Sequence, residues 1–212
     1  MAATGNSTHG YFGGGANPSR VSIMDKLTYA SDTTAQVPGA ALSTVRTAPG
    51  ATGTSTHGYF GGGAMPYVTT MEKVTYASDT PAVVPGAALS VARYYLGAAG
   101  NSTHGYFGGG SSPKVSTMDK CTYSTDTTEA LPSGANLSSA REGLYATGNS
   151  TAGYFGGGDP VVSTMDKLTY SSETTAAVPG AALSVARQYL AASSTRANAL
   201  PEFPPITVEQ SN

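Results

Sequence analysis

Tryptophan is absent from this 212-residue chain, cysteine occurs once, and charged residues make up only 11%, less than half the ~25% usual in folded domains. Each shortage excludes something. Eleven lysines and arginines are scattered among thirteen acids for a net charge of −2. No basic stripe results, and nucleic-acid affinity comes mostly from such clusters. The lone Cys121 cannot close an internal disulfide. No apolar run approaches the ~18 residues of a membrane span. The opening Met1-Ala2-Ala3-Thr4-Gly5-Asn6 has neither the basic nor the apolar region of a secretion signal. A surface location is therefore expected to need a virion or another extracellular route. Abundance lies elsewhere, in 27 glycines and 13 prolines. The glycines keep no three-residue period, which excludes collagen, and the low net charge argues against disorder. One folded, turn-rich domain fits.

Internal repetition decides the architecture. Tyr11-Phe12-Gly13-Gly14-Gly15 recurs from Tyr59, Tyr106 and Tyr154, at spacings of 48, 47 and 48 residues. Asp25-Lys26, Glu72-Lys73, Asp119-Lys120 and Asp166-Lys167 follow at a strict 47. Val37-Pro38-Gly39-Ala40-Ala41-Leu42-Ser43 returns from Val84 and Val178, with a looser copy from Leu131. Cys121 falls where the other copies carry Leu27, Val74 and Leu168, so it reads as a small buried hydrophobe rather than a nucleophile.

Within a copy, Arg93 to Ala99 is a short aromatic and small-residue run closed by Gly100-Asn101, a hairpin-type pair tolerant of positive φ. His104 to Gly108 is a second run, and Val115 to Tyr123 alternates with the period of a strand. A weaker fourth run passes Leu131-Pro132, where the proline restricts it to an edge. The expected fold is all-β, with four strands per repeat. Sheets of this size cannot cover both faces alone and stack around an axis as propeller blades. The blades are placed at about 3–46, 47–93, 94–141 and 142–187, with a closing strand at 187–192 and a tail at 193–212. That strand, Arg187 to Ala192, is expected to displace Met1 to Thr4 from the innermost position of the first blade. The alternative is an open four-blade arc that completes a ring with a second chain.

Arg93, the aromatic-Gly-Gly of Tyr106 to Gly109, and Met118-Asp119-Lys120 resemble the kelch repeat, although the kelch tryptophan is missing. A closer resemblance is to the Gly-Tyr-Phe-Gly-Gly-Gly … Met-Asp-Lys-Leu-Thr-Tyr repeats of tail-fibre-like and structural proteins of marine phages. The first likeness implies a β-propeller. The second implies a virion or host-surface setting without supplying a mechanism.

No catalytic or metal-binding set is expected, and no cofactor. The glycine triplets lack the helix N-terminus and Lys-Ser/Thr of a phosphate loop. His9, His57 and His104 share one repeat position while the fourth copy has Ala152, and equivalent positions on neighbouring blades lie too far apart for ~2 Å ligand bonds. Asp25, Glu72, Asp119 and Asp166 are separated likewise, and the Lys after each points to solvated or inter-blade ion pairing. Arg46, Arg93, Arg141 and Arg187 recur near the axis without an evident acid partner. Sequons such as Asn6-Ser7-Thr8 are explained by turn geometry.

Variation among the copies is confined to two segments. The first- and third-strand turns are nearly constant. The loop after the glycine triplet and the junction between repeats diverge, and both belong to one face. Loops on a rigid scaffold carry function disproportionately, and recognition favours Tyr and Arg. A ligand site is therefore expected around Arg20, Tyr67, Tyr94, Lys114 and Tyr189. The expected function is a non-enzymatic binding or structural module, a virion- or tail-associated adhesin contacting a host surface glycan or protein, as a monomer or homodimer. The alternatives are a purely structural assembly unit and, with less support, a propeller glycosidase.

Overall fold

Small residues and tight turns leave the chain little choice but hairpins. In the computed structural model, which describes residues 1–192, each repeat is one antiparallel four-stranded sheet in sequence order. The first sheet comprises Ala2–Gly5, His9–Gly13, Met24–Thr28 and Thr33–Gln36, and the second Gly50–Gly53, His57–Gly61, Met71–Thr75 and Thr80–Val83. Gly97–Gly100, His104–Gly108, Met118–Thr122 and Thr127–Ala130 form the third, and Tyr145–Gly148, Ala152–Gly156, Met165–Thr169 and Thr174–Ala177 the fourth. The register is the same in every copy: Phe107 lies opposite Ala98 and Asp119, as Phe60 lies opposite Ala51 and Glu72. No helix among the described residues is long and apolar enough to cross a membrane.

A four-residue strand with alternating side chains has no interior of its own, so the core lies between sheets. Three clusters fill the three junctions. Tyr11, Met24, Ala40 and Leu42 of the first sheet pack on Phe60, Val74 and Tyr76 of the second. Tyr59, Met71, Ala87 and Leu89 pack on Phe107 and Cys121 of the third, and Tyr106, Met118, Ala135 and Leu137 on Phe155, Leu168 and Tyr170 of the fourth. Cys121 is fully buried, and burial pushes its thiol up to about 11. The glycine triplet serves both close approach and backbone sign. Gly14 has φ +67, and a Cβ there would sit 2.6 Å from the Arg46 carbonyl.

The sheets do not close into a ring through a fourth equivalent junction. Phe12 and Leu27 on the first sheet are only half-buried and Tyr29 is 43% exposed, whereas Tyr76 is 6% exposed. At the other end Tyr154, Met165 and Leu183 are half-buried and Arg187 is exposed.

Three expectations need correction. The innermost position of the first sheet is held by Ala2–Gly5, paired in the standard register with His9–Gly13, and residues 187–192 form no strand. Pairing across a three-residue turn costs far less chain entropy than recruiting a strand from the opposite end of the repeat array. The outer strands stop before the proline. In the second copy Val84 leads into a 3-10 turn, Pro85–Ala87, whose Ala87 is fully buried in the core. The first turn of each copy does not use positive φ at Gly100 or Asn101. Instead Asn101 Oδ1 accepts the backbone N–H groups of Thr103 and His104 and the Thr103 hydroxyl, as Asn6 and Asn149 do in their copies. Glycine precedes it because a Cβ at Gly100 would lie 2.4 Å from the His104 carbonyl. The expected tail, 193–212, falls outside the described residues.

Candidate functional site

The recurring charges are spent at the junctions. Arg46 pairs with Glu72, Arg93 with Asp119 at 2.7 Å and Arg141 with Asp166 at 2.8 Å, each arginine fully buried and each acid on the next sheet. Backbone carbonyls take further guanidinium donors, as when Arg93 reaches Phe107 and Thr117, while the Nε of each of the three is buried without a partner. Burial lowers the pKa of Arg46 and Arg93, and the partner acid opposes that shift. A second pair repeats nearer the surface. Lys26 meets Asp79 at 2.8 Å, Lys73 meets Asp126, and Lys120 meets Glu173 at 2.7 Å. The inter-blade pairing expected of these acids is present, but the acid after the methionine binds the preceding sheet's arginine rather than a lysine. Arg46, Arg93 and Arg141 thus do have acid partners, which corrects that expectation for three of the four, while Arg187 has no ion pair among the described residues.

The histidines begin the second strands on the constant face, each with Nδ1 2.8 Å from a threonine hydroxyl, Thr8, Thr56 or Thr103. Burial lowers His57 and His104, aided by Lys73 and Lys120 respectively.

The two divergent segments meet on the opposite face. Thr47 bridges to Ala64, Tyr94 to Ser111 and Glu142 to Asp159, so each junction segment is stitched to the loop after a glycine triplet. A run of four tyrosines crosses these loops. Tyr67 stacks on Tyr94 at 5.3 Å, Tyr94 meets Tyr95 at 4.8 Å, and Tyr95 meets the edge of Tyr189 at 5.0 Å. The run is possible because the third junction has Gly143: a Cβ there would come within 3.0 Å of the Tyr189 ring. The backbone continues the same line, since Gly143 donates to Tyr95 O and Tyr189 donates to Gly143 O at 2.7 Å. Tyr67 and Tyr189 are about half exposed, at 48% and 53%.

An ionic group borders the rings. Lys114 pairs with Asp159 and lies 3.9 Å from Glu142. The bond to Asp159 holds the lysine above its ordinary pKa, while burial and Glu142 keep the Tyr94 and Tyr189 phenols above theirs. Glu142 Oε2 and Gln188 Oε1 are buried without a hydrogen-bond partner. Beside Tyr95 opens a cavity of about 410 Å³, lined mainly by small and apolar groups including Ala3, Ala51, Ala98 and Ala146 from all four innermost strands. None of its lining residues is a carboxylate, imidazole or thiol.

Of the five nominated residues, the structure brings Tyr67, Tyr94, Lys114 and Tyr189 into this one patch. Arg20 stands at its rim, its guanidinium 2.9 Å from Met65 Sδ in the loop that carries Tyr67. Tyr95, Glu142 and Asp159 were not nominated. Tyr95 and Glu142 lie in the divergent junctions and Asp159 in a divergent loop, so the variation that exposed the others could have found them. No protein-family model matches the chain, and no curated protein matches it significantly.

Proposed function

We propose that this protein is a non-enzymatic binding module, a propeller-like array of four blades whose variable face recognises a surface glycan. The observation that carries the reading is the tyrosine run of Tyr67, Tyr94, Tyr95 and Tyr189, half-exposed at both ends and bordered by the Lys114–Asp159 pair. Tyrosine rings give large, rigid, amphipathic contact area at low entropic cost. The C–H faces of a pyranose can lie on such rings while its hydroxyls bond the phenol oxygens and the partly exposed Lys114–Asp159 pair at their border. The neighbouring cavity of about 410 Å³ lies in the size range of ~300–1,000 Å³ typical of small-molecule sites. Glu142 and Asp159, the two carboxylates of the patch, both face Lys114, and the cavity adds no acid, imidazole or thiol, which favours binding over hydrolysis by a free carboxylate pair.

The phage-like repeats supply the setting of this proposal: a virion- or tail-associated adhesin contacting its host. A glycan array screened with wild type and with Tyr67→Ala/Tyr189→Ala tests it. Specific glycans should bind wild type and lose at least tenfold in affinity to the double variant, with an unchanged melting temperature. Binding that survives the double variant, or no glycan bound at all, refutes the assignment. A fluorogenic glycoside panel should show no turnover; hydrolysis abolished by the same variant would establish a glycosidase instead.

A further inference from the structure

The three internal junctions are one interface used three times, and each repeat carries both of its halves. The donating half presents the second-strand tyrosine, the third-strand lysine and the arginine that follows the outer strand. The accepting half presents the phenylalanine, the third-strand acid and the acid of the next turn. Tyr59, Lys73 and Arg93 thus meet Phe107, Asp119 and Asp126. Four copies of each half and three junctions leave one of each unmatched. On the fourth sheet these are Tyr154, Lys167 and Arg187, and on the first Phe12, Asp25 and Asp32.

The exposures record the mismatch. Arg46, Arg93 and Arg141 are fully buried, but Arg187 is exposed. Glu72, Asp119 and Asp166 are buried to within 1%, while Asp25 is half-buried and Asp32 exposed. Lys167 lies over the Tyr154 ring as Lys26 lies over Tyr11, but unlike Lys26, Lys73 and Lys120 it has no ion pair among the described residues. One end therefore offers two cations and a phenol, and the other two carboxylates and an apolar ring, in the arrangement that mates three times within the chain.

We infer that a second copy of this chain docks head-to-tail, the fourth sheet of one copy forming with the first sheet of the other a junction of the same kind. Arg187 then pairs with the partner's Asp25, and Lys167 and Tyr154 with the partner's Asp32. Such a contact is heterologous: if the rotation closes, two copies make two junctions and an eight-sheet ring, and otherwise addition continues.

Light scattering across a concentration series, with charge reversals at the two ends, tests this. Arg187 and Asp25 belong to no internal junction, so Arg187→Glu and Asp25→Arg should fold, as checked by circular dichroism and by protection of Cys121. Wild type should reach at least twice the 21.3 kDa chain mass. Each variant alone should stay at the chain mass, since like charges then face each other at every junction. An equimolar mixture should recover the larger mass, because one junction is native and the other joins the same two positions with their charges exchanged. Wild type that stays at 21.3 kDa at every concentration overturns the inference. So do variants that associate like wild type, or a mixture that does not recover.

Discussion

At Ala99 the third junction lacks a hydrogen bond that the other two have, and restoring it should stabilise the protein. In the first junction Thr4 Oγ1 lies 3.0 Å from the Tyr76 hydroxyl, and in the second Thr52 lies 3.0 Å from that of Tyr123. The third has Ala99, fully buried, and the Tyr170 hydroxyl is buried without a partner. Space for the threonine exists. In the intact copies its methyl fills the room of an absent side chain, since a Cβ on Gly58 would lie 2.4 Å from Thr4 Cγ2 and one on Gly105 2.5 Å from Thr52 Cγ2. Gly153 keeps that room facing Ala99. A net hydrogen bond contributes about 0.5–1.5 kcal/mol, and a buried methyl about 0.8 kcal/mol. Ala99→Thr should therefore gain about 1–2 kcal/mol in urea denaturation, with Tm rising by about 2–4 °C per kcal/mol for a domain of this size. Ala99→Val supplies the methyl without the hydroxyl and should gain less than Thr. In a Tyr170→Phe background the Thr–Val difference should vanish. Equal effects of Thr and Val, or a Thr advantage that persists without the phenol, would refute the reasoning.

Three further outcomes follow from the junctions. Phe107→Ala should cost about 3–5 kcal/mol, as buried phenylalanine truncations do, whereas Phe12→Ala at the half-buried end should cost clearly less in the same chemical denaturation; equal costs would mean that the first sheet's outer face is covered. Cys121 should resist a thiol reagent in the native state at pH 8 and react on unfolding, because burial holds its pKa near 11; rapid native labelling would contradict the buried junction. Burial would raise Asp79 and Asp126, but bonds from Lys26 and Tyr11, and from Lys73 and Tyr59, reverse this and hold both below the ordinary 3.8. A lowered carboxylate pKa stabilises the fold above the unfolded value and loses that contribution as pH falls through the folded one, so urea midpoints should drop below about pH 4, and Asp79→Asn should flatten that drop.

The repeat made the strands and their order legible, because a spacing of 47 or 48 residues brings the glycine triplets into register and a strict 47 the methionines and acids of the third strands. It also marked the variable face, since Tyr94 and Lys114 stand where the other copies differ. It hid the partners. A repeat aligned with itself shows Asp119 beside Lys120, yet Asp119 binds Arg93 across a junction, 26 residues earlier. Lys120 likewise reaches Glu173, 53 residues later. Neither offset is a multiple of the repeat, so periodicity alone cannot reveal them. The aromatic patch was partly visible, but the Tyr95–Tyr189 contact depends on Gly143 leaving room between them, which a residue-by-residue comparison does not weigh. The inner strand at residues 187–192 was inferred from likeness to Arg93–Ala98, and a local hairpin outcompeted it.

Because each repeat carries both halves of the junction and owns no core alone, the number of repeats is free to change. A gene duplication or deletion that adds or removes one 47-residue period leaves every remaining junction matched and regenerates the same two ends. Such lengthening or shortening would change the span of the array and the number of variable loops it displays. It would require no compensating change in the residues that hold neighbours together. The protein can thus acquire new loop combinations by recombination between its own copies, with the charge pairing of each junction kept.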